Sequence, residues 1–113
     1  MKLSKDLVAA SARPLVLAIL ARGDGYGYAI IRDIRALSGG QLEWTEGMLY
    51  PVLHRLEQEG LIASQWDVAE NGRKRKYYRL KKDGSRALAH DQEQWGIVQA
   101  VLQRLRETSA CAS

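Results

Sequence analysis

The residues best suited to chemistry fall in two short stretches. From Arg73 to Lys82 the chain reads Arg-Lys-Arg-Lys-Tyr-Tyr-Arg-Leu-Lys-Lys, with seven basic positions in ten and no acidic one. The whole chain holds 17 Lys and Arg against 13 Asp and Glu, a net charge of +4. A net charge that small says little about partners, but its concentration in one stretch says more. Cations packed this densely suit contact with phosphates or entry into a DNA minor groove, with Arg73, Lys74 and Lys76 foremost. Protection of a strand edge against aggregation explains one or two lysines and leaves seven basic residues unexplained.

The second stretch runs from Thr45 to Glu59. Thr45 reads as a helix N-cap, with Glu46 at the positive end of the helix dipole and Gly60 closing the helix. Leu49, Val52, Leu53 and Leu56 recur on one face. At about 100° per residue, Gly47, Pro51, His54 and Gln58 lie opposite, flanked by Tyr50 and Arg55. A helix of this size fits a DNA major groove, with its N-terminal residues nearest the base edges. The candidate contacts are Thr45, Gly47, Met48, Tyr50, Pro51, His54 and Arg55, joined by Tyr26 through its hydroxyl. Taken alone, such a face is the ordinary solvated side of an amphipathic helix. Pro51 is the exception, because it deletes a backbone hydrogen bond and bends the helix, which an ordinary core helix seldom accepts.

Other chemistries find little support. His54 and His90 stand far apart with no cysteine or carboxylate cluster at metal spacing, so no metal site is expected. No Gly-rich phosphate loop and no nucleophile–base set occurs, so neither a catalytic site nor a cofactor is expected. Cys111 is the single cysteine and cannot close an internal disulfide. No stretch is long and apolar enough for a membrane span, and none has the form of a signal peptide. These readings point to the cytoplasm.

The elements that must position the two stretches follow from periodicity and punctuation. Leu3 to Ala21 is apolar-periodic but interrupted by Pro14, which predicts a short N-terminal helix and a second one starting near Ala12 or Arg13. Gly23 to Gly25 forms a turn, and Tyr26 to Ser38 is a helix with Ile30, Ile34 and Leu37 on one face. Gln41 to Trp44 is expected as a very short strand. Leu61 to Ala69 and Arg73 to Leu80 form a hairpin around Asn71-Gly72, a signal for a type I′ turn. A two-residue turn sets Trp66 opposite Tyr77 and Asp67 opposite Lys76; a longer loop shifts that register. Trp44, Trp66, Tyr77 and Tyr78 are expected in the core. A long helix runs from about Lys82 to Arg106, with Thr108 to Ser113 frayed. Its Leu88, Trp95, Val98, Leu102 and Leu105 form a seam at heptad spacing, widened by Ala87, Ile97 and Val101, and a second copy of the chain is the simplest partner for it.

The order of helices and hairpin is that of a winged helix-turn-helix. The fold class is mainly α with a small β-hairpin wing, a DNA-binding domain over 1–81 and a dimerisation helix with frayed tail over 82–113. A winged-helix module that binds proteins and no DNA is the alternative from another class.

The residues also resemble the PadR family of regulators, from about Leu15 to Gly84. The resemblance rests on Gly25-Tyr26-Gly27-Tyr28-Ala29-Ile30 and on Glu46-Gly47-Met48-Leu49-Tyr50-Pro51-Val52-Leu53-His54-Arg55-Leu56-Glu57. It continues through Glu59-Gly60-Leu61-Ile62, Trp66 and the run from Gly72 to Leu80. The short C-terminus resembles the subgroup with one dimerisation helix. The resemblance implies a homodimeric repressor of a near-palindromic operator. It places the helix of Tyr50, Pro51 and His54 in the major groove and the wing around Arg73 to Lys76 on backbone or minor groove. For some members it implies a flat aromatic effector held between the dimerisation helices by a Trp, at the place of Trp95. One departure is Lys81, where the family has a Thr that caps the last helix; Asp83 is the expected substitute.

Overall fold

The computed structural model describes residues 2–112, with side chains through residue 108. Its elements are α1 (Lys5–Ala21), β1 (Gly25–Tyr26), α2 (Gly27–Leu37), α3 (Glu46–Gln58), β2 (Ile62–Val68), β3 (Lys74–Leu80) and α4 (Lys82–Ala112).

α1 is one continuous helix and not two. Ser4 caps it, its Oγ accepting from the Leu7 N–H at 3.2 Å. Pro14 lies inside and removes a single ladder bond. Ala12 before it and Val16, Leu17, Ile19 and Leu20 after it are all buried in one core, so packing holds both halves on the same axis.

The sheet is antiparallel in the order β1-β3-β2. Its third strand comes from Gly25 and Tyr26, which pair with Tyr78 and Tyr77, and not from residues 41–44. The expected strand at 41–44 is irregular because local bonds take its donors. The Gln41 N–H donates to the Ser38 carbonyl at 3.3 Å, and the Leu42 N–H to the Ser38 hydroxyl at 2.9 Å. Trp44 is nevertheless buried, as its apolarity requires. Leu37, expected on the inner face of α2, is exposed.

The hairpin adopts the longer of the two loops. Trp66 faces Lys76, Asp67 faces Arg75 and Val68 faces Lys74. Ala69 N–H donates to the Arg73 carbonyl at 2.8 Å, leaving Glu70, Asn71 and Gly72 as the loop. Gly72 has φ 81° and no other residue of the loop is positive, which excludes the type I′ turn. A three-residue loop ending in a left-handed glycine is the standard alternative.

α4 begins at Lys82, so Asp83 lies in its first turn beside Arg86 (3.3 Å) and does not stand at the cap position. The helix continues to Ala112, past the fraying expected from Thr108; Ser113 and the Cys111 side chain lie outside the described residues. Gly84 touches the backbone where β2 begins. A Cβ there would collide with the Leu61 carbonyl oxygen and come 2.6 Å from Leu80 Cδ1. Leu88 completes the core with α1, while the helix beyond it extends the molecule to 62 Å in its long dimension.

Candidate nucleic-acid interface

α3 is capped as its sequence demands, with Thr45 Oγ1 accepting from the Met48 N–H at 3.2 Å. Leu49, Leu53 and Leu56 face the core. Gly47, Tyr50, Pro51, His54 and Arg55 are exposed. Pro51 sits within the helix and leaves one carbonyl of the first turn without its ladder partner. Met48 differs from its neighbours. It is half-buried against the core and lines another groove with Leu42 and Trp44, away from the wing.

Between α3 and the wing lies an open groove of about 750 Å³. It brings together Tyr26, Tyr50 and His54 with Arg73, Lys74 and Lys76. Thr45 at the cap and Gly47, Pro51 and Arg55 on α3 do not line its walls. Glu46 is the one carboxylate on those walls; it favours the helix dipole and opposes phosphate at that spot.

Local packing fixes these side chains. Gly27 leaves room for Tyr50: a Cβ there would lie 2.6 Å from the Tyr50 hydroxyl oxygen. The Tyr26 ring meets Tyr77 edge-on at 5.4 Å and carries the Arg75 guanidinium 4.4 Å from its centre. Lys76 Nζ stands 5.7 Å from the centre of the Tyr78 ring. Two cations of the basic run are therefore held over aromatic faces, which orders them and leaves their charge in place. Tyr78 is buried, and burial pushes its phenol above the ordinary value of 10.0, with Tyr50 and Glu57 adding to the shift. Ser64 donates a hydrogen bond to the Glu57 carboxylate, tying β2 to α3.

Six further residues line the walls beyond the candidate contacts: Gly27, Tyr28, Glu46, Trp66, Arg75 and Tyr78. Trp66, expected in the core, is 63 % exposed. Its exposure follows from the observed register, which sets Lys76 opposite it, and from a strand that runs past the core.

The candidate seam on α4 divides in two. Leu88 is only 9 % exposed and packs in the chain's own core. Trp95, Val98, Leu102 and Leu105 are exposed, as are Ile97 and Val101. Ala87 packs against the core with Leu88. Among the described residues no group of His, Cys, Asp or Glu is placed to hold a metal, and no helix is long and apolar enough to cross a membrane.

A helical pair, a three-stranded sheet with a basic hairpin and a long final helix define the winged-helix class of regulators. Comparison with known proteins narrows the class. Residues 16–90 match the model of the Transcriptional regulator PadR-like family, and the chain belongs to that family. The chain is 29 % identical to a transcriptional regulator from Clostridium thermocellum of known structure, covering 90 % of this chain and 96 % of that one at a TM-score of 0.81. A PadR family regulator from Eggerthella lenta is 35 % identical, covers 91 % of this chain and 88 % of its own, and superposes at 0.75. The transcriptional regulator YqjI of Escherichia coli is 30 % identical over 87 residues, 77 % of this chain and 40 % of its own length. This chain thus spans about two fifths of that relative. The protein is a transcriptional regulator and not an enzyme.

Proposed function

We propose that the chain is a homodimeric repressor that binds a near-palindromic operator. The observation that carries this reading is the convergence of the exposed face of α3 and the basic wing on one groove. Residues 1–81 form the DNA-binding unit and 82–113 the dimerisation helix, with the first turns of that helix rooted in the unit's core through Leu88. α3 enters the major groove. His54 and Arg55 address bases, Tyr50 and Thr45 address phosphates, and Gly47 and Pro51 let the backbone come close. Arg73, Lys74 and Lys76 neutralise phosphates beside the wing, and Tyr26 supports them from below through Arg75. Met48 serves the core side of α3. Trp95, Val98, Leu102 and Leu105 pair with their copies, and a flat aromatic effector released into that seam beside Trp95 relieves repression.

Selection of duplexes from a random pool by the full chain tests the reading. The expected result is one motif with two-fold symmetry, bound in a strongly salt-dependent way. Replacing Arg73, Lys74 and Lys76 by Ala is expected to flatten the salt dependence by up to about one phosphate per residue and to weaken all sequences alike. Enrichment of no motif would favour the protein-interaction module instead. Quenching of Trp95 fluorescence by a panel of planar aromatics, absent in Trp95→Ala, tests the effector.

A further inference from the structure

The wing carries an apolar pair that the basic run conceals. Residues directly opposite in an antiparallel ladder share a face, as do alternate residues along each strand. One face of the hairpin therefore holds Ile62, Ser64, Trp66 and Val68 against Leu80, Tyr78, Lys76 and Lys74. The inner half of this face packs on the core, where Ile62 and Tyr78 are buried. The outer half runs past the core. There Trp66 is 63 % and Val68 62 % exposed, each directly opposite a lysine. Asp67 pairs with Arg75 on the other face, away from this pair. Trp66, Lys74 and Lys76 share the groove with Tyr50 and His54, so the apolar pair looks the same way as α3.

We infer that Trp66, backed by Val68, is a specificity residue that seats its ring in the DNA minor groove while Lys74 and Lys76 hold the flanking phosphates. The inference rests on the proposed DNA-binding function. An exposed indole costs solubility, and two opposed lysines exclude an apolar protein partner better than they exclude a polyanion. Between two phosphate chains those lysines are complementary, and the minor groove is where apolar side chains enter DNA. The exocyclic amino group of guanine projects into that groove and obstructs a flat ring, whereas A·T offers acceptors and no obstruction. The wing thus prefers A·T steps at positions that α3 does not touch.

The test uses the full chain and a duplex recovered from the random pool. The pair beneath the wing, outside the footprint of α3, is made A·T, G·C or inosine·C, the last lacking the guanine amino group. Wild type is expected to bind A·T and inosine·C alike and G·C about tenfold more weakly. Trp66→Ala is expected to lose about tenfold on the first two and to stop discriminating, with Trp66→Phe restoring part of both. Lys74→Ala is expected to weaken all three equally and to retain the discrimination. Melting temperatures are expected to match, because Trp66 lies outside the core. Equal binding of the three duplexes by wild type, or equal discrimination by Trp66→Ala, overturns the inference while leaving DNA binding intact. Failure of wild type to enrich any motif overturns the DNA-binding reading beneath it.

Discussion

Two glycines are fixed by what a methyl group would meet. Gly84 lies against the Leu61 carbonyl, which already accepts from the Lys81 N–H at 3.0 Å. Neither backbone can yield without moving the start of α4 off the sheet. Gly84→Ala is expected to destabilise the fold by about 1–3 kcal/mol, read as a lower midpoint in urea. Gly27 is constrained by a side-chain tip, the Tyr50 hydroxyl, which can swing outward. Gly27→Ala is therefore expected to spare stability and to lower operator affinity by on the order of 1 kcal/mol. If it acts through Tyr50, the same substitution made in a Tyr50→Ala background adds nothing further, a test by double-mutant cycle. Tyr78 supplies a pH signature. Its phenol is raised above 10.0 in the folded chain, so the folded state holds its proton more tightly than the unfolded state. The stability this contributes is complete below pH 10 and is lost as pH climbs through the raised value. A melting temperature that falls more steeply above pH 10 in wild type than in Tyr78→Phe is the expected result.

Arg13 shows how elements are held at fixed angles. From α1 its Nη1 reaches Glu59 at the end of α3 (3.2 Å), and its Nε reaches Asp91 on α4 (3.1 Å). One guanidinium thus spans the helix expected to read DNA and the helix expected to dimerise. The Arg13 and Glu59 side chains are close to half-exposed, so solvent screens the tie. Arg13→Met is expected to cost at most about 1 kcal/mol, and less in high salt, by thermal melting. Most elements were legible because each has one dominant cause. Thr45 at the start of α3 and the gap between Gly60 and the hairpin punctuate the chain without competition. Sequence pattern and structure part where two causes compete. Pro14 argues for a break, but the apolar residues on both sides argue for one packed helix, and packing prevailed. Asn71-Gly72 favours a type I′ turn in isolation, yet only Gly72 is left-handed here, and the register moved by one. Trp66 has the residue type of a core position, but its strand outruns the core that would cover it. Contacts across 50 residues, such as Gly25 with Tyr78, leave no local trace at all.

At the scale of the molecule, the described residues of α4 from Gln92 to Thr108 are all exposed. Leu88 is the last residue of its seam to be buried, and Trp95, Val98, Leu102 and Leu105 follow at alternating spacings of three, four and three. These are a and d positions of a short coiled-coil seam. Trp95 is 41 % and Leu102 58 % exposed in the single chain. Burying the exposed half of each such side chain contributes about 1 kcal/mol, so four of them doubled by symmetry can offset much of the cost of association. Because the core of residues 12 to 88 does not use them, removing their apolarity leaves the winged helix able to fold. Leu102→Glu is therefore expected to yield a folded monomer. Sedimentation gives its mass, and its melting temperature no longer rises with protein concentration as that of a dimer does. The same variant separates two contributions to operator binding. A monomer keeps α3 and the wing, so it still binds one half-site, and with it the salt dependence of that half-site. It is expected to lose the proposed second half-site, about 34–36 Å away, and with it the preference for a palindrome. A wild-type chain that sediments as a monomer at micromolar concentration would remove the dimer and leave α4 free for a different partner.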